Sequence, residues 1–222
     1  MSPTLVTVLT LISGLSWTVV YIDLIHRGFK DKTYGMPLFA LAFNFAWELT
    51  FGFLVAGGMS LQRIVNITWF LFDAVIVYTY FRYGRKEFPK SMERFFIPWS
   101  LLAFGTAFLV IDFTRLEFEG YWGAIYSAFA QNLMMSVLFI GMLVRRDNVA
   151  GQSMYIAIFK WLGTLAPTIQ ISMQTGSALV LILGIGCFLY DVIYIWMLYR
   201  KFVELGLNPF TRRPEFEIPS ER

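Results

Sequence analysis

Seven stretches of this 222-residue chain are each long and apolar enough to cross a lipid bilayer, and no other feature restricts its fold as much. They run over about residues 4–26, 36–56, 62–83, 95–112, 121–144, 153–173 and 177–199. A hydrocarbon core about 30 Å thick takes about 20 helical residues. With no water there to satisfy backbone amides, a spanning segment must be a helix or part of a closed barrel. The sequence therefore predicts an all-α fold, a seven-transmembrane helix bundle over residues 1–199. A polar tail follows over 200–222, interrupted by Pro209, Pro214 and Pro219. Only 15% of the residues are charged, against roughly a quarter in a soluble domain, so no soluble catalytic domain is expected. The first segment has neither a basic stretch before it nor a small-residue cleavage site after it, and reads as a retained helix. Cys187 is the only cysteine, which rules out an intrachain disulfide. Pro167 falls inside the sixth segment, where it should kink the helix and free a carbonyl at membrane depth.

The basic residues are distributed unevenly. Arg27, Lys30 and Lys32, then Arg82, Arg85, Lys86, Lys90 and Arg94, then Arg145 and Arg146, and the tail's Arg200, Lys201, Arg212, Arg213 and Arg222 all fall on one side of the bundle. Only Arg63 and Arg115 fall on the other, whose loop DFTRLEFEG is acidic. The positive-inside rule then predicts an N-terminus outside and a cytoplasmic C-terminus. Because these charges sit in loops rather than on one face, the net charge of +3 points to no nucleic-acid partner. Plasma membrane and endoplasmic reticulum both fit, and the oligomeric state is left open.

Polar groups inside the apolar segments need an explanation, since a charge at membrane depth costs several kcal/mol unless paired, neutralised or facing a cavity. Asn44 and Glu48 share a face of the second segment one turn apart. The third carries Asn66, Trp69 and Asp73, the fifth Gln131, Asn132 and Ser136, the sixth Lys160, and the seventh Asp191 followed by Tyr194. At a rise of about 1.5 Å per residue, Lys160 lies about 10 Å from the basic end, Asn44 and Asp191 about 12 Å, Asp73 about 15 Å and Glu48 about 18 Å. Five polar residues from four helices in one slab predict a single cavity. Blander readings stand beside this one. Lys160 can snorkel to the interface or pair with Asp191 or Asp73. Asp73 can be a structural partner, and Asn132 interhelical glue. Glu48 and Asp191 are harder to explain away, because both sit well inside apolar turns.

A carboxyl in an apolar cavity loses the solvation of its charged form, so one of two acids sharing a cavity can stay protonated and act as a Brønsted acid. Trp47, Phe51, Trp69, Trp161, Tyr190 and Tyr194 supply aromatic faces that stabilise cations without offering a nucleophile. An acid with such a lining suits carbocation chemistry on a lipid, and equally suits a proton-coupled carrier.

The stretches KTYGM, FNFAWE, RDNVAGQSMYIAIFKWLGTL and YDVIYIWMLY resemble the seven-helix membrane terpene cyclases of meroterpenoid and indole-diterpene biosynthesis, the paxilline-cyclase type. The likeness covers nearly the whole chain, and Asn-x-x-x-Glu with Trp47 on the second helix is its most specific part. The resemblance implies an essential acidic pair, mapping onto Glu48 and Asp191. It also implies protonation of a terminal epoxide, or an alkene, of a lipophilic prenylated substrate, followed by cyclisation with no metal and no other cofactor. Asn44 would hold the acid, and the substrate-binding and cation-stabilising set would be Asn44, Trp47, Phe51, Trp69, Asp73, Asn132, Lys160, Trp161, Tyr190 and Tyr194. Membrane lipid is the expected surround. The alternative is a small seven-helix transporter or proton-coupled carrier using the same slab. A retinal photoreceptor is disfavoured, because residues 177–199 contain no lysine for a Schiff base.

Overall fold

The computed structural model describes residues 1–55, 57–119 and 121–214. Seven α-helices form among them: α1 Pro3–Asp31, α2 Leu38–Leu49, α3 Leu61–Tyr83, α4 Phe96–Glu117, α5 Tyr121–Arg146, α6 Met154–Thr175 and α7 Ala178–Glu204. A π-helical turn, Thr50–Leu54, continues α2, and two short 3₁₀ turns link α3 to α4. Of the seven segments expected to be long and apolar enough to cross a membrane, five helices (α1, α3, α4, α5 and α7) meet that by length and composition, whereas α2 with its π turn is a shorter apolar helix and α6, with Lys160, Gln170 and Gln174 along it, is not among the five. Every helix but α2 turns large apolar side chains outward, among them Leu15, Leu71, Phe113, Val144, Met173 and Ile182, each more than half exposed. Water would penalise such a belt, but lipid tails do not.

Packing closes the helices into a ring. Going round it, α1 lies beside α3, then come α2, α5, α7 and α6, and α6 returns to α1. The fourth helix sits outside the ring against α2 and α5. Small residues make this last contact close: Ala42 and Ala46 of α2 face Ala103 and Ala107 of α4. The connections α1–α2, α3–α4 and α5–α6 and the chain's C-terminal part share one end, here the basic end. The segment ends expected from hydropathy hold to within a few residues, except that α1, α4 and α7 run on further past them, to Asp31, Glu117 and Glu204. The last residue of the second expected segment, Ala56, lies outside the described residues. So does the tail over 215–222, with Pro219 and Arg222. Before that point the chain turns back rather than trailing away, since Arg212 donates to Asp31 Oδ2 at 2.8 Å and to the Val149 carbonyl at 3.1 Å.

Pro167 is accommodated without breaking α6. It has no N–H for the carbonyl four residues back, Gly163, and that carbonyl instead accepts from Ser13 Oγ of α1 at 2.8 Å. The same glycine lets α1 approach closely, because a Cβ there would stand 2.9 Å from the Trp17 ring. A Ser13→Ala change strands a carbonyl with no water to take its place. It should cost about 1–3 kcal/mol and lower Tm by about 2–4 °C per kcal/mol. Thermal unfolding of the detergent-solubilised protein measures this, and an unchanged Tm would show that the carbonyl needs no partner.

The RDNVAGQS stretch proves to be a junction. Gly151, at φ +71°, donates its N–H to Asp31 at the end of α1. Gln152 accepts from the Tyr194 hydroxyl of α7 at 3.0 Å. Ser153 caps α6 through the Ile156 N–H at 3.1 Å and donates to Asp23 of α1. One loop thus ties α1, α6 and α7 together at the basic end, which fixes the register in which their buried polar groups meet.

Candidate active site

Three helices converge on Glu48. Asn44 and Glu48 occupy one buried face of α2. The Asn44 Nδ2 donates to Tyr21 Oη of α1 at 2.5 Å, to Asp73 Oδ2 of α3 at 2.9 Å and to Glu48 Oε1 at 3.2 Å. The Tyr21 hydroxyl in turn donates to Glu48 Oε1. An amide nitrogen has two hydrogens, so this one is shared among three acceptors. The second oxygens of both acids, Glu48 Oε2 and Asp73 Oδ1, are buried with no partner among the described residues. Neither acid belongs to any ion pair there. Aromatic rings surround Tyr21: Trp69 stacks on it at 5.8 Å, Phe72 lies at 6.0 Å and Trp17 at 6.3 Å.

A second polar group belongs to the other half of the ring. Lys160 of α6 is fully buried, with its Nζ 2.7 and 3.0 Å from the two oxygens of Asp191 on α7 and 2.6 Å from Ser136 Oγ on α5. Lys160 is therefore a buried partner and does not snorkel. A turn further along, Asn132 donates to Thr164 at 2.9 Å, joining α5 to α6 as interhelical glue. The single cavity expected around all five polar residues resolves into two hydrogen-bonded groups, one on α1–α3 and one on α5–α7. No hydrogen bond among the described residues joins them. Counting residues gives depth along a helix, but not which neighbour each face meets around the ring.

The remaining expected residues divide between these groups and the exterior. Trp47 and Phe51 pack together at 4.7 Å beside the acid group, and the Trp47 indole N–H is 3.1 Å from both the Ala124 carbonyl and Ser127 Oγ of α5. Trp161 faces Phe188 at 5.6 Å with its ring nitrogen buried and unpartnered among the described residues. Tyr194, the partner of Gln152, belongs to the core at the basic end, against Phe139 at 5.4 Å. Tyr190 does not join the site: it faces outward, 42% exposed, because it precedes the inward-facing Asp191 by one residue, or about 100° of helix. Tyr21 was missed by the sequence reasoning. One hydroxyl among the several on α1 gives no signal until α1 is known to lie beside α3 and near α2.

A cleft of about 300 Å³ opens at the end away from the basic residues, between the π turn of α2, the start of α3 and the start of α5. Its walls include Trp47, Phe51 and Asn66. Trp47 directly precedes Glu48, and Asn66 lies two turns from Asp73 on the same face of α3. The cleft thus lies about 10 Å along α3 from the acid group, whose carboxyls do not line it.

The sequence profile of the Pyr4-like transmembrane terpene cyclases matches residues 2–203, which take in all but the final residue of the seven-helix bundle. The chain belongs to this family. Pyr4-family terpene cyclase mfmH of Annulohypoxylon moriforme is 32% identical over 160 residues, which are 71% of this chain and 66% of that protein, just under two thirds. Terpene cyclase pyr4 of Aspergillus fumigatus is 26% identical over 209 residues, 86% of this chain and 84% of the relative. Asnovolin H synthase nvfL of Aspergillus novofumigatus is 25% identical over 169 residues, 75% and 69% of the two chains. No solved structure matches. A Pyr4-like cyclase is a membrane protein that works on a lipophilic terpenoid, so the outward apolar belt and the terpene-cyclase expectation agree with membership. The carrier and photoreceptor alternatives gain no support from these matches.

Proposed function

We propose that this Pyr4-like cyclase opens a terminal epoxide of a prenylated substrate with a proton from Glu48 and closes the polyene into rings without a metal. The observation that carries the reading is the state of the Glu48 carboxyl. One oxygen is held by Tyr21 and Asn44, and among the described residues the other is buried without a partner and no cation is within ion-pair reach. Such a group can keep a proton and present it to a ligand. Asp191 differs, because Lys160 balances its charge.

The step balances simply. The proton passes from Glu48 to the epoxide oxygen, and the bond from that oxygen to the more substituted carbon breaks, its electron pair remaining on oxygen as a hydroxyl. The neighbouring alkene attacks the carbon left electron-deficient, and successive closures move the cation along the chain. The last cation loses a proton. Asp191 is the fixed anion on the far half of the ring, suited to stabilising the later cations or accepting that proton. Trp47, Phe51 and Trp69 offer aromatic faces to the migrating charge, worth about 0.5–2 kcal/mol each. Asn44 and Tyr21 hold the donor, and Asp73 completes the group through Asn44. Tyr190 takes no part. The acidic pair therefore acts from two places rather than as one dyad. The basic end is assigned to the cytosol, in the endoplasmic reticulum or plasma membrane, with residues after Glu204 as a cytoplasmic tail.

The test is to incubate membranes containing the protein with epoxidised prenyl-arene substrates and to identify products by NMR, with and without a strong chelator. Cyclic alcohols formed equally in both conditions are expected. Substrate returned unchanged, or activity abolished by the chelator and restored by a divalent metal, would overturn the proposal.

A further inference from the structure

The cleft beside the acid group has two chemically different walls. Trp47 and Phe51 form the apolar one, and Ser60, Gln62, Arg63 and Asn66 form the other. Asn66 is 3% exposed, and its side-chain oxygen accepts from Gln62 at 2.8 Å. Its amide nitrogen has no acceptor among the described residues. Arg63 donates to the carbonyls left over where the π turn ends: Gly52 at 2.9 Å, Gly57 at 2.7 Å and Phe53 at 3.3 Å. Those contacts fix the guanidinium at the cleft without neutralising it, and no carboxylate among the described residues pairs with it. A guanidinium has five N–H donors, so it keeps donors to spare. An unpartnered amide donor lining the cleft and an uncompensated cation on the same wall call for an acceptor-rich, negatively charged ligand group. The aromatic wall calls for an attached apolar chain.

On this basis we propose that the cleft binds the acidic, oxygen-rich head of the substrate through Arg63 and Asn66, and so directs the prenyl chain inward to Glu48. The substrate class is a prenylated acid, enol or phenol able to present an anionic oxygen, rather than a neutral hydrocarbon. This names the substrate of the cyclase site proposed above and rests on that reading for the direction of the chain. The spacing fits. Asn66 is seven residues, about 10 Å, from Asp73 along α3, a span covered by a few isoprene units.

Binding tests the head-group site separately from catalysis. Two probes with one epoxyfarnesyl chain, ending in a free carboxylate or in its methyl ester, are titrated into the full-length protein in lipid nanodiscs and followed by tryptophan fluorescence. The wild type is expected to bind the acid at least ten-fold more tightly than the ester. Arg63→Gln should remove most of that preference while ester affinity stays within two-fold, and Arg63→Lys should keep part of it. Equal affinity of the two probes for the wild type would overturn the proposal without any variant being needed. A preference that survives in folded Arg63→Gln would overturn it too. If the preference is found but neither probe is cyclised, the head-group site stands and the cyclase reading fails; cyclisation without the preference has the opposite meaning.

Discussion

Replacing Lys160 with Met should destabilise the bundle by about 3–5 kcal/mol, because it strands a buried carboxylate. Both Asp191 oxygens depend on Lys160, and the Asp191 side chain is only 1% exposed. Methionine fills similar volume, so packing is not the reason for the loss. At about 2–4 °C of Tm per kcal/mol for a chain of this size, the drop should be about 6–20 °C, measured by thermal unfolding in detergent. The double variant Lys160→Met/Asp191→Leu removes both charges and should recover most of the stability, since an apolar pair of similar volume is often as stable as the ion pair it replaces. Its cyclisation should remain lost. That combination separates what the pair does for the fold from what its anion does for the reaction. A Lys160→Met protein with wild-type Tm would mean that Asp191 is not held as an ion.

Glu48→Gln should insert and fold, and cyclise more slowly by a factor of about 10²–10⁴, the usual contribution of a positioned general acid. Glutamine keeps the shape of the side chain. Its carbonyl can accept from Tyr21 and Asn44 as Glu48 Oε1 does, so the hydrogen bonds within the group can survive. What it cannot do is release a proton to an epoxide. Substrate affinity should change much less than turnover, because the head group and chain rest on other residues. Product formed per unit of folded protein, judged against binding of an unreactive analogue, measures the two separately.

Much of this was legible in the sequence. Seven apolar runs of membrane length left one all-α answer, and depth counting put Asn44, Glu48, Asp73, Lys160 and Asp191 at one level. The chain confirms that all five are buried. What could not be read was direction around the ring. Helical periodicity says that Asn44 and Glu48 share a face, but not that this face meets Tyr21 and Asp73 while Asp191 meets Lys160. That depends on α6 closing against α1 and on α2 lying between α3 and α5. Tyr190 illustrates the same gap on a smaller scale, since being next to Asp191 in sequence turned it about 100° round the helix and so to the outside. Pro167 marks another limit. The sequence shows that a carbonyl must be freed, and only the packing of α1 shows that Ser13 receives it. Arg63 is the last case. As a charge at the start of the third segment it counted only towards topology, until the structure set its guanidinium against the carbonyls of Gly52, Phe53 and Gly57 at the edge of the cleft.

The central claim is that cyclisation begins when Glu48 protonates an epoxide. It is tested most directly with a prenyl substrate whose terminal epoxide carries heavy oxygen. Wild-type protein should yield a cyclic alcohol that retains the label in its hydroxyl group, and folded Glu48→Gln should yield almost none. A labelled cyclic alcohol formed by folded Glu48→Gln at the wild-type rate would contradict the account.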